Sequence, residues 1–304
     1  MYNKEYTIVE KLGNGGCGTI YKIKIDSEYY ALKKEKYIKS DIINFEKIIK
    51  NDKNILANTD KSFYRMIYFN KFINKINDIH FDKLYSYKIS KANFKQIVNP
   101  QNYHMKTIIN YYQGKYKSKY CLETIIDLKD NTLKSMFENK QWNNDDEIYS
   151  MIIQIMYALY LMHSNDFYHT DLHWGNIMYK KTNIKSIKIL KLNIPTFGYI
   201  WSIIDYGDIE SPLFENAFSI KRKLFIYRNL AYEDILNFIY NSIFKDKHQD
   251  VLQKMINNIK LSNIDIKRCF GELKYYKDAI KFIEYAANND HIKIIKYYYS
   301  KLKN

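Results

Sequence analysis

The apolar positions change their period along the chain, and each change marks an element. Residues 6–10 and 29–33 alternate apolar with polar side chains, which predicts two strands with a glycine-rich turn at 12–21 between them. In 42–49 and 63–79 the apolar residues recur at three- and four-residue spacing, as on one face of a helix. The stretch 85–119 is rich in aromatics and lysine and punctuated by Pro100 and Gly114, so loops are expected there. Residues 120–126 read as a further strand. A long buried helix over 147–165 follows from Ile148, Met151, Ile152, Ile155, Met156, Leu159 and Met162, with Asp145 or Asp146 as its cap. Beyond it, 177–179 reads as a strand. Lys180, Lys181, Lys185, Lys188 and Lys191 stand without one acid before Pro195, as a basic hairpin or a solvated loop. Helical periodicity resumes near Lys221, and amphipathic segments rich in Lys, Ile and Tyr close the chain. Residues 283–296 are similar to one ankyrin unit, but a single unit cannot bury its own face, so a helix pair is expected.

Composition narrows the class. The 304 residues, 46% of them hydrophobic, suffice for one two-lobed domain or two modest ones. A net charge of +15 favours an acidic partner such as nucleic acid, an anionic membrane face or a nucleotide, although spread charge also simply solvates a surface. Abundant Ile, Asn, Lys and Tyr have A/T-rich codons, pointing to an AT-rich genome such as that of a large DNA virus or an intracellular parasite. Cys17, Cys121 and Cys269 are odd in number and widely spaced, which argues against a disulfide framework or a zinc site. No apolar signal core opens the sequence, and the longest apolar run, 151–162, is broken by Gln154 and too short for a bilayer. A soluble intracellular protein without stable membrane association is expected.

The chemistry is concentrated in His169-Thr170-Asp171-Leu172-His173-Trp174-Gly175-Asn176, followed downstream by Ile203-Ile204-Asp205-Tyr206-Gly207. An aspartate, an asparagine five residues on, and a later Asp-aromatic-Gly after an apolar run suit phosphoryl transfer to a hydroxyl. Asp171 would take or orient the proton of the attacking hydroxyl, while Asn176 and Asp205 would hold magnesium. Upstream, Gly13, Gly15, Gly16 and Gly18 would let backbone N–H groups approach phosphates. Lys33, ending Ala31-Leu32-Lys33, is the candidate for the α/β-phosphates of ATP, with Lys34 and Lys36 as neighbouring alternatives; the alternation turns Lys33 with Ala31 and Lys34 away. Its partner should be a glutamate on the first large helix. Glu46 is the candidate, yet the rival helix 63–79 carries no glutamate at all. Glu123 marks the expected hinge, after which backbone groups would meet the adenine edge. Asp234 is either a buried brace for the catalytic-loop backbone or an exposed helical acid.

These residues, with Lys180-Lys181-Thr182, Ile194-Pro195, Gly198 and Ser202, resemble the haspin family of eukaryotic-type protein kinases over about 165–210, and more loosely over 9–33 and 120–164. The resemblance implies an α+β, two-lobed protein-kinase fold. It implies a small antiparallel-sheet lobe, 1–123, and a larger helical lobe, 124–304, with a haspin-like insertion at about 180–200 and ATP with Mg2+ bound between the lobes. It further implies a serine/threonine kinase acting on a protein substrate such as a basic histone-like tail, received by carboxylates between Glu123 and Glu147 and by Asp208, Glu210 and Glu215. Nucleic acid could be met through the basic surface. Two departures stand out: Thr170 replaces the usual arginine, so it cannot clamp a phosphorylated loop, and Gly207 restores an Asp-x-Gly that haspins lack. Small-molecule phosphotransferases of the aminoglycoside and choline kinase type share the His-x-Asp, Asn and Asp pattern, and a nucleotide-binding pseudokinase module is the reading outside enzymology.

Overall fold

The computed structural model describes residues 5–14, 18–37, 44–60, 62–91, 120–139, 143–214, 231, 234–235, 238, 285 and 290–302, with Glu46 and Lys91 in backbone only. Gly15, Gly16, Cys17, Cys269, Glu215, the 92–119 stretch and nearly all of 215–289, where the sequence predicts helices, lie outside them. The chain is α+β and divides into two compact units, Met1–Asn54 with Lys83–Leu128, and Ile55–Asp82 with Lys129–Asn304. The segment 55–82, counted by sequence with the first lobe, thus groups with the C-terminal half.

The first unit is a five-stranded antiparallel sheet in the order β1-β2-β3-β5-β4. Its strands are β1 (Thr7–Asn14), β2 (Gly18–Ile25), β3 (Glu28–Tyr37), β4 (Leu84–Lys91) and β5 (Tyr120–Asp127). The three predicted strands are present as β1, β3 and β5, each reaching further at its C-terminal end, while β2 begins inside the expected turn at 12–21 and β4 occupies the start of the 85–119 stretch, where the sequence predicts loops. The edge strand β1 is exposed along nearly all its length, whereas β5, paired on both sides, is buried from Cys121 to Ile125. Ile23, Ile25, Leu32 and Ile125 form the core, flanked by Tyr6, Tyr21 and Tyr30. Of the helix predicted over 42–49 the structure holds one turn, α1 (Phe45–Ile48), whose Phe45 packs edge-on against Tyr87 of β4 at 5.9 Å.

The second unit is organised on two helices. The first to follow in the chain after the short α2 (Asp52–Leu56) is α3 (Ser62–Ile76), and α4 (Leu133–Glu138) leads to the long α5 (Asp145–His163). The cap of α5 is Asn144, whose side chain accepts from the Glu147 amide; Asp145 and Asp146 fill the first turn instead, where carboxylates meet unsatisfied N–H groups. Met151, Ile155, Met156, Leu159 and Met162 are fully buried and Ile152 nearly so, as the spacing predicts, whereas Ile148 is only half-buried and Ile153, outside the predicted stripe, is fully buried as well. The last described helix, α6 (His291–Leu302), packs along α5 through Ile294, Ile295 and Tyr298.

A three-stranded sheet, β10-β7-β6, places the strand that enters the insertion beside the strand that leaves it. Here β6 is Asn131–Thr132, β7 is Ile177–Lys181 and β10 is Tyr199–Ile203. Between them β8 (Ser186–Ile189) and β9 (Leu192–Pro195) form the hairpin expected from the lysine run. Its two-residue turn has Leu190 at φ 48° and Lys191 at φ 70°, the doubly left-handed geometry that usually selects Asn-Gly. All five lysines on and around the hairpin are exposed.

Gln154, the one polar break in the α5 stripe, is fully buried and holds this region to the helix. Its Oε1 accepts from the Trp201 amide at 3.0 Å, and its Nε2 donates to the Tyr199 carbonyl at 3.3 Å and to Ser150 Oγ at 3.1 Å. Ser150 in turn donates to the Pro195 carbonyl at 2.5 Å. Replacing Gln154 by Met keeps the volume but strands the Trp201 N–H in an apolar interior. We expect a loss of about 1–3 kcal/mol, read as a lower denaturant midpoint at an unchanged slope.

Candidate active site

The catalytic loop is held by one carboxylate. Asp234, in helical backbone and fully buried, accepts from the amides of His169 at 2.6 Å (Oδ2) and Thr170 at 2.7 Å (Oδ1). It is the brace, not an exposed acid. Those bonds matter because Thr170 sits at φ 61°, a left-handed conformation in which a β-branched residue is strained by about 1–3 kcal/mol. His169, also fully buried, faces the Ile204 carbonyl at 2.9 Å through Nε2, so Nε2 carries the ring proton. Fixed on both sides in this way, the loop turns the Asp171 side chain outward, where it is 55% exposed.

Asn176 is fastened to that aspartate. Its Nδ2 donates to the Asp171 carbonyl at 2.9 Å and to Asp171 Oδ2 at 3.3 Å, and its own carbonyl accepts from the Ile204 amide at 2.9 Å. The last bond follows from the register of β7 with β10: Ile177 pairs with Ile203, so the start of one strand lies opposite the end of the other. Asp205, remote in sequence, is thereby brought to the same end of the sheet as Asn176. It is exposed, and it too adopts a left-handed backbone, at φ 62°. His173, to which the sequence assigned no role, has Nε2 3.9 Å from Asp171 Oδ2, while its Nδ1 accepts from the Gly175 amide at 2.9 Å. A Cβ on Gly175 would stand 2.8 Å from the His173 ring, so a larger residue there would have to displace that imidazole.

Behind Asp205 a column of rings is assembled. His169 and Tyr206 are 6.1 Å apart, Tyr206 and Phe69 of α3 are 4.7 Å apart, and Phe69 and Phe81 are 6.1 Å apart, all edge-to-face. Tyr206 is 2% exposed; its hydroxyl donates to the Ile203 carbonyl and accepts from the Asp82 amide at 3.0 Å. The chain that follows is tied down as well. The Thr170 hydroxyl donates to the Asp208 carbonyl at 2.6 Å, Tyr168 and Glu210 exchange both backbone bonds, and Arg65 of α3 pairs with Glu210 at 2.5 Å. Thr170 therefore grips the segment directly through backbone.

In the first unit Lys33 pairs at 3.2 Å with Glu35, two residues along β3 and so on the same face. This partner was not foreseen. Glu46 lies in the backbone of α1, and the helix at 62–76 has an arginine but no glutamate. Gly18 is dictated by the sheet: a Cβ there would lie 2.3 Å from the Lys34 carbonyl. At Gly13 a Cβ would meet open space. Glu123 must be reassigned. It sits in the middle of β5, opposite Lys34 on one side and Lys88 on the other, so its backbone belongs to the ladder and cannot meet an adenine; the strand ends only at Asp127. Its buried carboxylate accepts from Lys34 at 3.0 Å, Ser90 at 2.9 Å and Tyr6 at 2.9 Å, with Lys88 at 3.3 Å.

Over 45 residues the chain is 51% identical to the serine/threonine-protein kinase haspin of Mus musculus. The match points to a protein kinase. It spans 13% of this chain and 6% of that protein's length, and no family model matches the chain.

The donors of this kinase-like site suit a hard cation. Asn176 offers Oδ1 and Asp205 a carboxylate, and Mg2+ takes one or two such oxygens while keeping water and substrate phosphates as its other ligands. Among the described residues no cluster of three or more His, Cys, Asp and Glu forms a metal cage. The acids expected to line a peptide groove are largely engaged elsewhere. Glu123 is spent inside the sheet, Glu147 is buried against Asn143, Glu138 lies beside Lys134, and Glu210 is paired with Arg65. Asp171, Asp205 and Asp208 are the exposed carboxylates of the loop region.

The Glu123 cluster has a pH signature. Burial alone would raise its carboxyl pKa, but hydrogen bonds from Lys34, Ser90 and Tyr6 outweigh that and hold it below the ordinary 4.5, while the same partner raises Lys34. The cluster's contribution to stability is therefore complete above the ordinary carboxylate value and is lost as pH falls through the lowered one. Acid titration of stability should show this loss, and Glu123→Gln should flatten it at the expense of stability at neutral pH.

Proposed function

We propose that this chain is an ATP-dependent serine/threonine protein kinase that transfers the γ-phosphoryl of Mg-ATP to a protein hydroxyl. The observation that carries the reading is the braced loop in which Asp234 fixes the backbone behind Asp171, Asn176 is hydrogen-bonded to Asp171, and Asp205 arrives at the same sheet end. Asp171 is exposed for an incoming hydroxyl, and Asn176 Nδ2 orients its Oδ2. Transfer to such a hydroxyl needs positioning and charge neutralisation more than covalent help from the protein. Mg2+, when bound by Asn176 and Asp205, supplies that neutralisation. Lys33 is our candidate for the nucleotide phosphates, and its pairing with Glu35 keeps the ammonium oriented along the β3 face. The acceptor we propose is a Ser or Thr flanked by basic residues, drawn by Asp171, Asp205 and Asp208, as in a histone-like tail.

Asp205→Ala should abolish transfer with little loss of fold, because an exposed carboxylate is removed and no core contact; a turnover like that of the wild type would sink the assignment. Asp171→Asn should keep ATP binding and lose transfer. Assaying the wild type against basic and acidic peptide arrays, and against aminoglycoside and choline acceptors, separates a protein kinase from a small-molecule phosphotransferase. Mg-ATP binding by the wild type without transfer to any acceptor would favour the nucleotide-binding pseudokinase module.

The ties of Thr170 to Asp208 and of Arg65 to Glu210 have a regulatory consequence: the segment after Asp205 is already fastened by a neutral hydroxyl and a guanidinium of the chain itself. Protein made in bacteria should be active without loop phosphorylation. Activity that appears only after treatment with an upstream kinase would contradict this.

A further inference from the structure

We propose that His291 is a positioning residue for the catalytic loop, acting through His163 on the Asp234 carboxylate. The inference rests on the kinase reading, since that loop carries Asp171. The three side chains form a line: His291 Nε2 lies 2.9 Å from His163 Nδ1, and His163 Nε2 lies 3.1 Å from Asp234 Oδ2. All are sequestered, with His291 6% exposed, Asp234 0% and the His163 side chain 6%.

The direction of every bond follows from chemistry. Asp234 is an acceptor of the His169 and Thr170 amides, so the nitrogen facing its Oδ2 must bring a proton, and His163 is the Nε2–H tautomer. With the ring neutral, its other nitrogen is an acceptor and His291 Nε2 donates to it. The chain therefore runs one way, from His291 through His163 to Asp234, and each bond polarises the next. Without that donor the buried Nδ1 lone pair is left unpaired, so the ring loses its hold on the far side and can shift away from Asp234. Asp234 would lose one of its donors and turn, and the strained Thr170 would lose its brace.

Two further features keep His291 in place. Asp290 accepts from the Lys293 amide at 3.0 Å and pairs with Lys293 Nζ at 2.8 Å, which fixes the start of α6 at His291. Rings enclose the pair: His163 stacks on Tyr168 at 5.4 Å, and Tyr160 lies 6.2 Å from His291. An apolar residue would fill this helix-start position as well, and an imidazole buried there costs free energy unless its nitrogens are bonded. The C-terminal helix thus reaches the catalytic loop by way of a proton-donating ring.

The test compares His291→Leu, which removes the donor, with His291→Gln, whose amide nitrogen can occupy the Nε2 position. With the wild type active, His291→Leu should lower kcat by about tenfold to a hundredfold at nearly unchanged KM for ATP, as expected when a remote change misplaces a catalytic group. His291→Gln should restore most of it. Hydrogen exchange at the His169 and Thr170 amides should quicken in the Leu variant while the β1–β3 sheet exchanges as before. Equal losses in both variants, or wild-type kcat and exchange in the Leu variant, overturn the proposal. If the wild type transfers no phosphate at all, the kinase reading fails, and the exchange measurement still decides the relay. Should the Leu variant not fold, nitrogen NMR of the wild-type imidazoles replaces it: an Nε2–H tautomer at His163 supports the relay, and an Nδ1–H tautomer overturns it.

Discussion

A buried carboxylate is the constraint on which the second unit depends. Asp234 has no exposure to water, so its charge must be met inside, and three donors meet it: two amides of the catalytic loop and the His163 ring. Charge-assisted bonds of this kind are roughly twice as strong as neutral ones, and leaving such a charge unpaired is costly. That is what holds Thr170 in a left-handed conformation that its own chemistry disfavours. The strain is local, sits at the loop that would do the chemistry, and is compensated by a residue far along the chain.

Around that anchor the parts are coupled through contiguous packing. His169 is fixed at its amide by Asp234 and at its ring by the Ile204 carbonyl, and it adjoins Tyr206, which meets Phe69 of α3. Tyr206 is tied in addition by its hydroxyl to the Asp82 amide, a bond that phenylalanine could not make. The same helix supplies Arg65 to Glu210. The segment that follows Asp205 is thus held from the loop side and from the helix side at once. This explains why 55–82 belongs with the C-terminal half, even though the strands on either side of it in sequence lie in the five-stranded sheet.

The insertion follows a similar logic. Its hairpin would be a marginal two-stranded ribbon in water, but buried Ser150 and Gln154 on α5 bond the strand that leaves it. Thr196 adds a second fastening, its amide donating to the Lys185 carbonyl and its hydroxyl to the Ile184 carbonyl. What stays outside is the row of lysines, each solvated. The basic character of the protein is therefore partly a property of this exposed ribbon, while the loop region beside Asp171 presents acids.

Much of the local structure was legible because it is written in short-range spacing. The three- and four-residue recurrence from Ile148 to Met162 gave α5, alternation gave the strands, and the five-residue gap from Asp171 to Asn176 is short enough for one loop to bring both side chains into contact. Pairing across long distances was not written that way. Lys33 was matched to a helical glutamate, yet on a pleated strand the residue two places on shares its face, and Glu35 is that residue. By sequence Glu123 marks the hinge, and only the presence of β4 on its far side shows that its backbone is already used. The turn at Leu190 and Lys191 carries neither Asn nor Gly; the pairing of β8 with β9, and the fastening of β9 and β10 to α5, impose a backbone the residues would not choose. The sequence by itself determined which side chains lie on one face of each element and that Asp171 and Asn176 share one loop. Tertiary packing alone decided which buried charge meets which donor, since burial makes every such charge find a partner but leaves the choice to whatever the fold brings within hydrogen-bond reach.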